Sequence, residues 1–203
     1  MTLGPVDISQ AMDTSAMLNL GSLLVPNVPT LEVHLDLDPR SGNGKAVSLH
    51  LNMSIAEVQL FATATSEDGW APMRDAIVAG LREQSVDCQI DMGTFGTEIR
   101  AVMPTVDLDG NAHVQPVRFI GIRGSRWLMR VVVSGDGALT DSLETAAAVT
   151  EIDLLISRLV VARGEEPLAP GERLWLRSPD SNLNESQDQG SNNDKYGNFH
   201  IQL

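Results

Sequence analysis

Leu31-Glu32-Val33-His34-Leu35-Asp36-Leu37 alternates apolar and polar residues without a break. Asp38-Pro39-Arg40-Ser41-Gly42-Asn43-Gly44-Lys45 follows, dense in turn formers, and Val47-Ser48-Leu49-His50-Leu51-Asn52-Met53 resumes the alternation. A period of two sends successive side chains to opposite faces of a pleated strand. Two such segments about a turn-forming loop make an antiparallel hairpin with one face on a core and one in water. If this hairpin folds about Gly42, His34 faces His50 and Asp36 faces Ser48.

Working outward, the apolar run 18–25 is stopped by Pro26 and Pro29 and reads as a short strand or extended edge. Residues 56–65 continue as a further strand. Trp70, Met73, Ile77, Val78 and Leu81 then form one helical stripe, with Asp68 placed to cap its start. Strands are expected at 86–92 and 98–103, with the loop 107–111 after them. A second hairpin spans 113–123 and 126–135, its tip at Gly124-Ser125 and Arg123 opposite Arg126. One face of it carries Ile120, Ile122, Trp127, Met129, Val131 and Val133, and the other Val117, Phe119, Leu128 and Val132. Strands apolar on both faces are central strands covered on both sides. A second helix is expected over 139–159, with Leu143, Ala147, Leu154, Leu155 and Leu159 sharing a face.

This order of elements predicts an α+β fold. It has an antiparallel β-sheet of about six to eight strands with two main helices packed on one face. Residues 1–177 read as a single domain. Its last part, from about 160, is a proline-rich extended arm packing through Leu168, Leu174, Trp175 and Leu176. Residues 178–203 are rich in Asn, Ser, Asp, Gln and Gly and read as a disordered polar tail.

Composition narrows the function. The chain has 203 residues, 42% of them hydrophobic and 20% charged, which suits one globular domain. It carries 27 acidic against 14 basic residues, a net charge of −13. A field of that sign repels phosphate backbones and anionic lipid heads, so neither nucleic acid nor a membrane is the expected partner. The start lacks the basic and apolar regions of a signal peptide, and no apolar run reaches the length of a membrane span. With the single cysteine, Cys88, these features point to the cytoplasm.

Motifs that carry chemistry are scarce. There is no phosphate-binding Gly-Lys-Ser/Thr loop, no dinucleotide fingerprint, no His-Glu-x-x-His and no nucleophile elbow. No catalytic residue and no cofactor is indicated, and the reading leans against an enzyme. Cys88 shares a strand face with Ile90 and Met92, where a small apolar side chain belongs. His34, Asp36 and His50 have the ligand types of a divalent metal site, against the ordinary reading of a solvated polar sheet face. Arg118 and Arg130 each interrupt an apolar strand. A buried guanidinium must be paired. The functional reading is an anchor for an anion or a partner's carboxylate. The structural one is an internal salt bridge to the acidic helix or to Glu165 and Glu166. Arg130, opposite Phe119, is placed to stack on it.

Several stretches resemble one known family. They are Gly4-Pro5-Val6-Asp7, Leu20-Gly21-Ser22-Leu23-Leu24-Val25-Pro26, Gln115-Pro116-Val117-Arg118-Phe119-Ile120-Gly121, Arg126-Trp127-Leu128-Met129-Arg130 followed by Ser134-Gly135, and Arg163-Gly164-Glu165-Glu166-Pro167. In this order they resemble the actinobacterial domain of unknown function 3710, over most of the chain from Gly4 to Leu176. The resemblance implies an actinobacterial cytoplasmic protein and supplies no activity. Members of that family usually carry a longer acidic N-terminal extension, whereas this chain begins almost at the Gly-Pro-Val-Asp element. Arg118, Arg126, Trp127 and Arg130 match its strongest pattern and are the candidate residues for binding a ligand or partner.

The leading expectation is therefore a non-catalytic adaptor- or chaperone-like protein whose partner is another protein, a second copy of itself included. The alternative is a small-molecule-binding protein or enzyme with an arginine-lined anion pocket.

Overall fold

The computed structural model describes residues 4–64, 68–106, 110–139 and 142–179, and the backbone of 199–202. The first hairpin forms as β4 (Leu31–Leu37) and β5 (Gly44–Leu51), and β6 (Ser54–Ala62) continues the meander. Helix α1 (Trp70–Glu83) then carries the chain across the sheet to its far edge. From there β7 (Cys88–Gly93), β8 (Gly96–Val106), β9 (Ala112–Arg123) and β10 (Trp127–Gly135) step back until β10 pairs with β6. The result is one antiparallel sheet in the order β4-β5-β6-β10-β9-β8-β7.

A small mixed sheet lies beside it. It joins β1 (Val6–Asp7), β2 (Met17–Asn19), β3 (Leu23–Pro26) and β11 (Val160–Val161), with β1 and β11 parallel. Helix α2 (Leu143–Ser157) sits between β10 and β11, and its first turn is closed by a capping box between Ser142 and Thr145. The α+β class and the antiparallel sheet stand as the sequence implies.

The two helices do not share a face. Leu49, Val58, Ile120, Val131 and Val133 form one core cluster with Ile152, Leu155 and Ile156 of α2 and with Leu20, Leu23 and Val25. Phe119, one residue from Ile120 on β9, packs instead against a cluster of Val78 and Leu81 from α1 with Ile99 and Ala101 from β8. Neighbours on a strand point to opposite faces, so α2 covers one face and α1 the other. That is why β9 and β10 are apolar on both sides. The stripe of α2 also differs from expectation. Ile152, Leu155, Ile156 and Leu159 are buried, at i, i+3, i+4 and i+7, while Leu143 and Leu154 face solvent. The helix is apolar nearly all round, so several stripes were legible and packing selects one.

Both hairpins fold with registers shifted by two from the simple reading, which preserves their faces. In the first, Glu32 lies opposite His50, His34 opposite Ser48 and Asp36 opposite Ala46. The strand is irregular between Asp36 and Leu37, and the loop is locked by Gly42 N–H donating to the Asp38 carbonyl. In the second, Arg123 pairs with Leu128. The Trp127 indole packs on Gly124, where a Cβ would come within 2.0 Å of the ring, and three residues, Gly124, Ser125 and Arg126, lie between the strands.

The extended arm packs as expected through Leu174 and Leu176, both buried, with Leu168 partly buried. It fills a wedge in the sheet: Leu174 N–H donates to the Leu60 carbonyl, and Leu176 and Gly44 exchange backbone hydrogen bonds. Trp175 departs from the expectation, being 39% exposed. Of the predicted disordered tail, residues 180–198 lie outside the described residues. The strand β12 (Phe199–Gln202) pairs antiparallel with β4, Phe199 opposite Leu35.

Candidate functional site

Arg118 enters the inner face of β9 at the end of the apolar row Ile122, Ile120. It is 1% exposed, the largest charged side chain in the core. Glu98 of β8 meets it from the neighbouring strand, accepting from Nε at 3.1 Å and from Nη2 at 2.9 Å. Asp153 of α2 meets it from above, accepting from Nη1 at 3.0 Å and from Nη2 at 3.2 Å. The Gly137 carbonyl takes the remaining Nη1 proton at 3.0 Å. A guanidinium has five N–H donors, and all five are taken. Burial alone would lower the pKa of Arg118, but Glu98 and Asp153 outweigh it and hold the group above its ordinary value.

The network extends outward. Arg100 donates to Glu98 at 2.9–3.0 Å and lies 3.6 Å from Asp91, and the Thr94 hydroxyl donates to Asp153 at 2.6 Å. Gly93 makes room for it, since a Cβ there would sit 2.2 Å from Glu98 Oε2. The cluster ties β7, β8, β9 and α2 together. It offers an incoming anion no free donor on Arg118, so this arginine is structural. Of the two partners weighed from the sequence, the acidic helix is the real one. Glu165 and Glu166 are exposed elsewhere.

Arg130 lies on the opposite face, half-buried. It pairs with Gly121 on β9, which removes it from Phe119, and its guanidinium sits 5.9 Å over Phe61 instead. Its Nη2 donates to Gln59 Oε1 at 2.7 Å, and its Nε is buried without a partner among the described residues. Burial pushes its pKa below the ordinary value; Glu57 opposes this, and the positive charge of Arg173 reinforces it. Arg126 is exposed at the hairpin tip, and Trp127 is a fully buried core residue. The four arginine and tryptophan candidates thus lie in separate environments and form no single site.

The proposed metal ligands do not converge either. The rings of His34 and His50 approach to 4.5 Å, but Asp36 is held by Lys45 at 3.2 Å, and His34 lies 3.6 Å from Glu32. Among the described residues no group of three or more His, Cys, Asp or Glu could hold a metal ion. Cys88 is half-buried against the α1 cluster, as a small apolar residue. Its strand neighbours Ile90 and Met92 are exposed, 47% and 76%.

The family model "Protein of unknown function (DUF3710)" matches residues 4–185. The chain belongs to this family. No curated protein matches it. The structure shows where the DUF3710 resemblance sits. Gly4-Pro5-Val6-Asp7 lies against the β9–β10 tip, lining a cleft with Arg123, Gly124 and Trp127. Gly21 and Ser22 line another cleft with the Arg163–Glu166 segment. The stretch around Arg118 supplies the buried cluster.

Sequence reasoning missed Glu98 and Asp153. The readable signal for Asp153 was a lone carboxylate in the apolar run Ile152-Asp153-Leu154-Leu155-Ile156. Glu98 gave no such signal. Also unforeseen was the exposed apolar end of the β8–β9 hairpin. Val102, Pro104, Val106 and Val114 share the face of Arg118 there, beyond the reach of α2, and Val102, Val106 and Val114 are 46%, 66% and 65% exposed. A cavity of about 500 Å³ opens beside them, lined in part by Gln89, Arg100, Val102, Pro116 and Leu139.

Proposed function

We propose that this DUF3710 member is a non-catalytic binding protein of the actinobacterial cytoplasm. Its partner is another protein, a second copy of the chain included, held on the apolar end of the β8–β9 hairpin. The observation that carries this reading is the row Val102, Val106 and Val114, solvent-facing on strands whose inner portions are buried core. Contiguous exposed apolar surface on a folded domain marks an interaction site more often than it marks nothing. The cavity beside the row supplies the concave element that anchors an interface residue. The cytoplasmic part of the proposal is supported by the single cysteine, which leaves no intrachain disulfide, and by the described helices, none long and apolar enough to cross a membrane.

A catalytic reading built on Arg118 is not supported, because that side chain has no donor to spare.

The test compares wild type with Val106→Asp/Val114→Asp. Light scattering across a concentration series reads self-association, and quantitative capture from homologous cytosol reads other partners. A dimer or a prey protein present with wild type and lost with the variant, at unchanged melting temperature, supports the proposal. A monomer whose captured proteins are the same for both forms would sink it.

A further inference from the structure

The extended arm alternates like a strand: Leu174 and Leu176 are buried, so Arg173, Trp175 and Arg177 share the opposite side. That side forms one wall of a cleft of about 530 Å³. Arg163 lines the same cleft from the segment after β11, and Asn19, Ser22 and Asn43 add neutral polar groups to it. The volume falls within the range of small-ligand sites.

The charges are unusual for this chain. Carboxylates outnumber basic groups 27 to 14, yet among the described residues none of these three arginines is in an ion pair. Two are held by neutral groups instead. Arg163 Nη1 donates to the carbonyls of Gly164 and Glu166, and its Nε is buried without a partner among the described residues. Arg173 Nη1 donates to the Lys45 carbonyl, and its guanidinium lies 5.2 Å over Phe61 and 5.9 Å over Trp175. Carbonyls and ring faces orient a guanidinium without neutralising it. Glu165 and Glu166 also line the cleft, both exposed, so the lining retains a net positive charge of one against −13 for the whole chain.

We infer that this cleft binds a small phosphorylated ligand, with the phosphate held by Arg163, Arg173 and Arg177 and the body of the ligand against Trp175. Guanidinium groups approaching from two separate segments suit a tetrahedral oxyanion, which accepts hydrogen bonds from several directions. A planar carboxylate is matched by one arginine fork. The exposed indole gives a flat apolar surface for a ring or carbon chain. The inference stands on residues remote from the β8–β9 hairpin and does not depend on the protein-binding proposal.

Titration of the full chain with inorganic pyrophosphate, AMP and citrate tests it, read by calorimetry and by tryptophan fluorescence. Trp70 and Trp127 are buried, so Trp175 is the residue that responds to a ligand in the cleft. Saturable binding of pyrophosphate or AMP is expected, weakening with salt. The exposed Arg177→Ala should reduce it about tenfold or more, and Arg173→Ala likewise at unchanged melting temperature. Arg82→Ala, exposed in the last turn of α1, serves as the control and should bind as wild type does. Citrate binding as tight as pyrophosphate overturns the assignment to phosphate. Failure of both phosphates to bind at millimolar concentration, or binding indifferent to Arg177→Ala and Arg173→Ala, overturns the site.

Discussion

Arg118 on β9 and Asp153 on α2 meet through two hydrogen bonds, 3.0 and 3.2 Å long, where both side chains are sealed from water. The contact fixes the helix against the sheet at one rotation, because Asp153 is the only carboxylate among the buried residues of α2. It also explains how an acidic chain tolerates a buried cation. Two carboxylates and a carbonyl surround it, and a third charge layer, Arg100, balances Glu98 from outside.

Removing one member of such a cluster strands the others. Asp153→Ala should destabilise the fold by about 3–5 kcal/mol, as breaking a buried pair typically does. Asp153→Asn, which keeps one acceptor for Arg118, should cost less. Urea unfolding at neutral pH measures both, and a loss below about 1 kcal/mol for Asp153→Ala would contradict the role given to the cluster.

Arg130 should behave in the opposite way. It is half-buried, faces the positive charge of Arg173, and leaves its Nε unpaired among the described residues. Methionine keeps the apolar stem over Phe61 and removes the charge. Arg130→Met should therefore lie within about 0.5 kcal/mol of wild type or above it. A large destabilisation would show that the Gln59 hydrogen bond and the ring contact outweigh these costs.

The contrast between the two arginines shows what the sequence could and could not convey. Period-two alternation made the strands, the faces of both hairpins and the depth of Arg118 legible, because those depend on local spacing. The register was not legible: it depends on the irregularity at Asp36 and on Trp127 folding over Gly124, which are set in three dimensions. Glu98 was invisible, and the role of Asp153 unassigned, for a related reason. Their significance comes from meeting Arg118 across 20 and 35 residues of chain. The side of the sheet taken by each helix depends on the path of α1 between β6 and β7, and an element order alone does not specify that path.

Gly121 offers a test of the outer face. A Cβ at this position would lie 2.0 Å from Trp70 Cδ2, and the ring is anchored by its N–H donating to the Thr97 carbonyl at 2.7 Å. The indole has nowhere to retreat without losing that bond. Gly121→Ala should cost about 1–3 kcal/mol through overpacking and shift the emission of Trp70. The same substitution in a Trp70→Ala background should cost much less. Equal costs in the two backgrounds would mean that Trp70 is not what confines position 121.

Asp7 gives the pH dependence a definite sign. Partial burial raises its pKa, but the backbone and hydroxyl hydrogen bonds from Ser9, 3.0 and 2.8 Å, lower it more. The Trp127 indole adds the pull of a nearby dipole, since its N–H has no partner in bonding geometry among the described residues, and Arg126 adds a positive charge. The folded-state value therefore lies below the ordinary 3.8. A carboxyl with a depressed folded pKa contributes stability that is fully present above its unfolded value and is lost as the pH falls through the folded one. Asp7→Asn removes this contribution at neutral pH and has none left to lose in acid. Melting temperatures of wild type and Asp7→Asn, measured between about pH 5 and pH 2, should converge as the pH falls. Curves that stay parallel would mean that Asp7 titrates alike in the folded and unfolded chain and that its contacts with Ser9 and the β9–β10 tip do not hold the N-terminal strand in place.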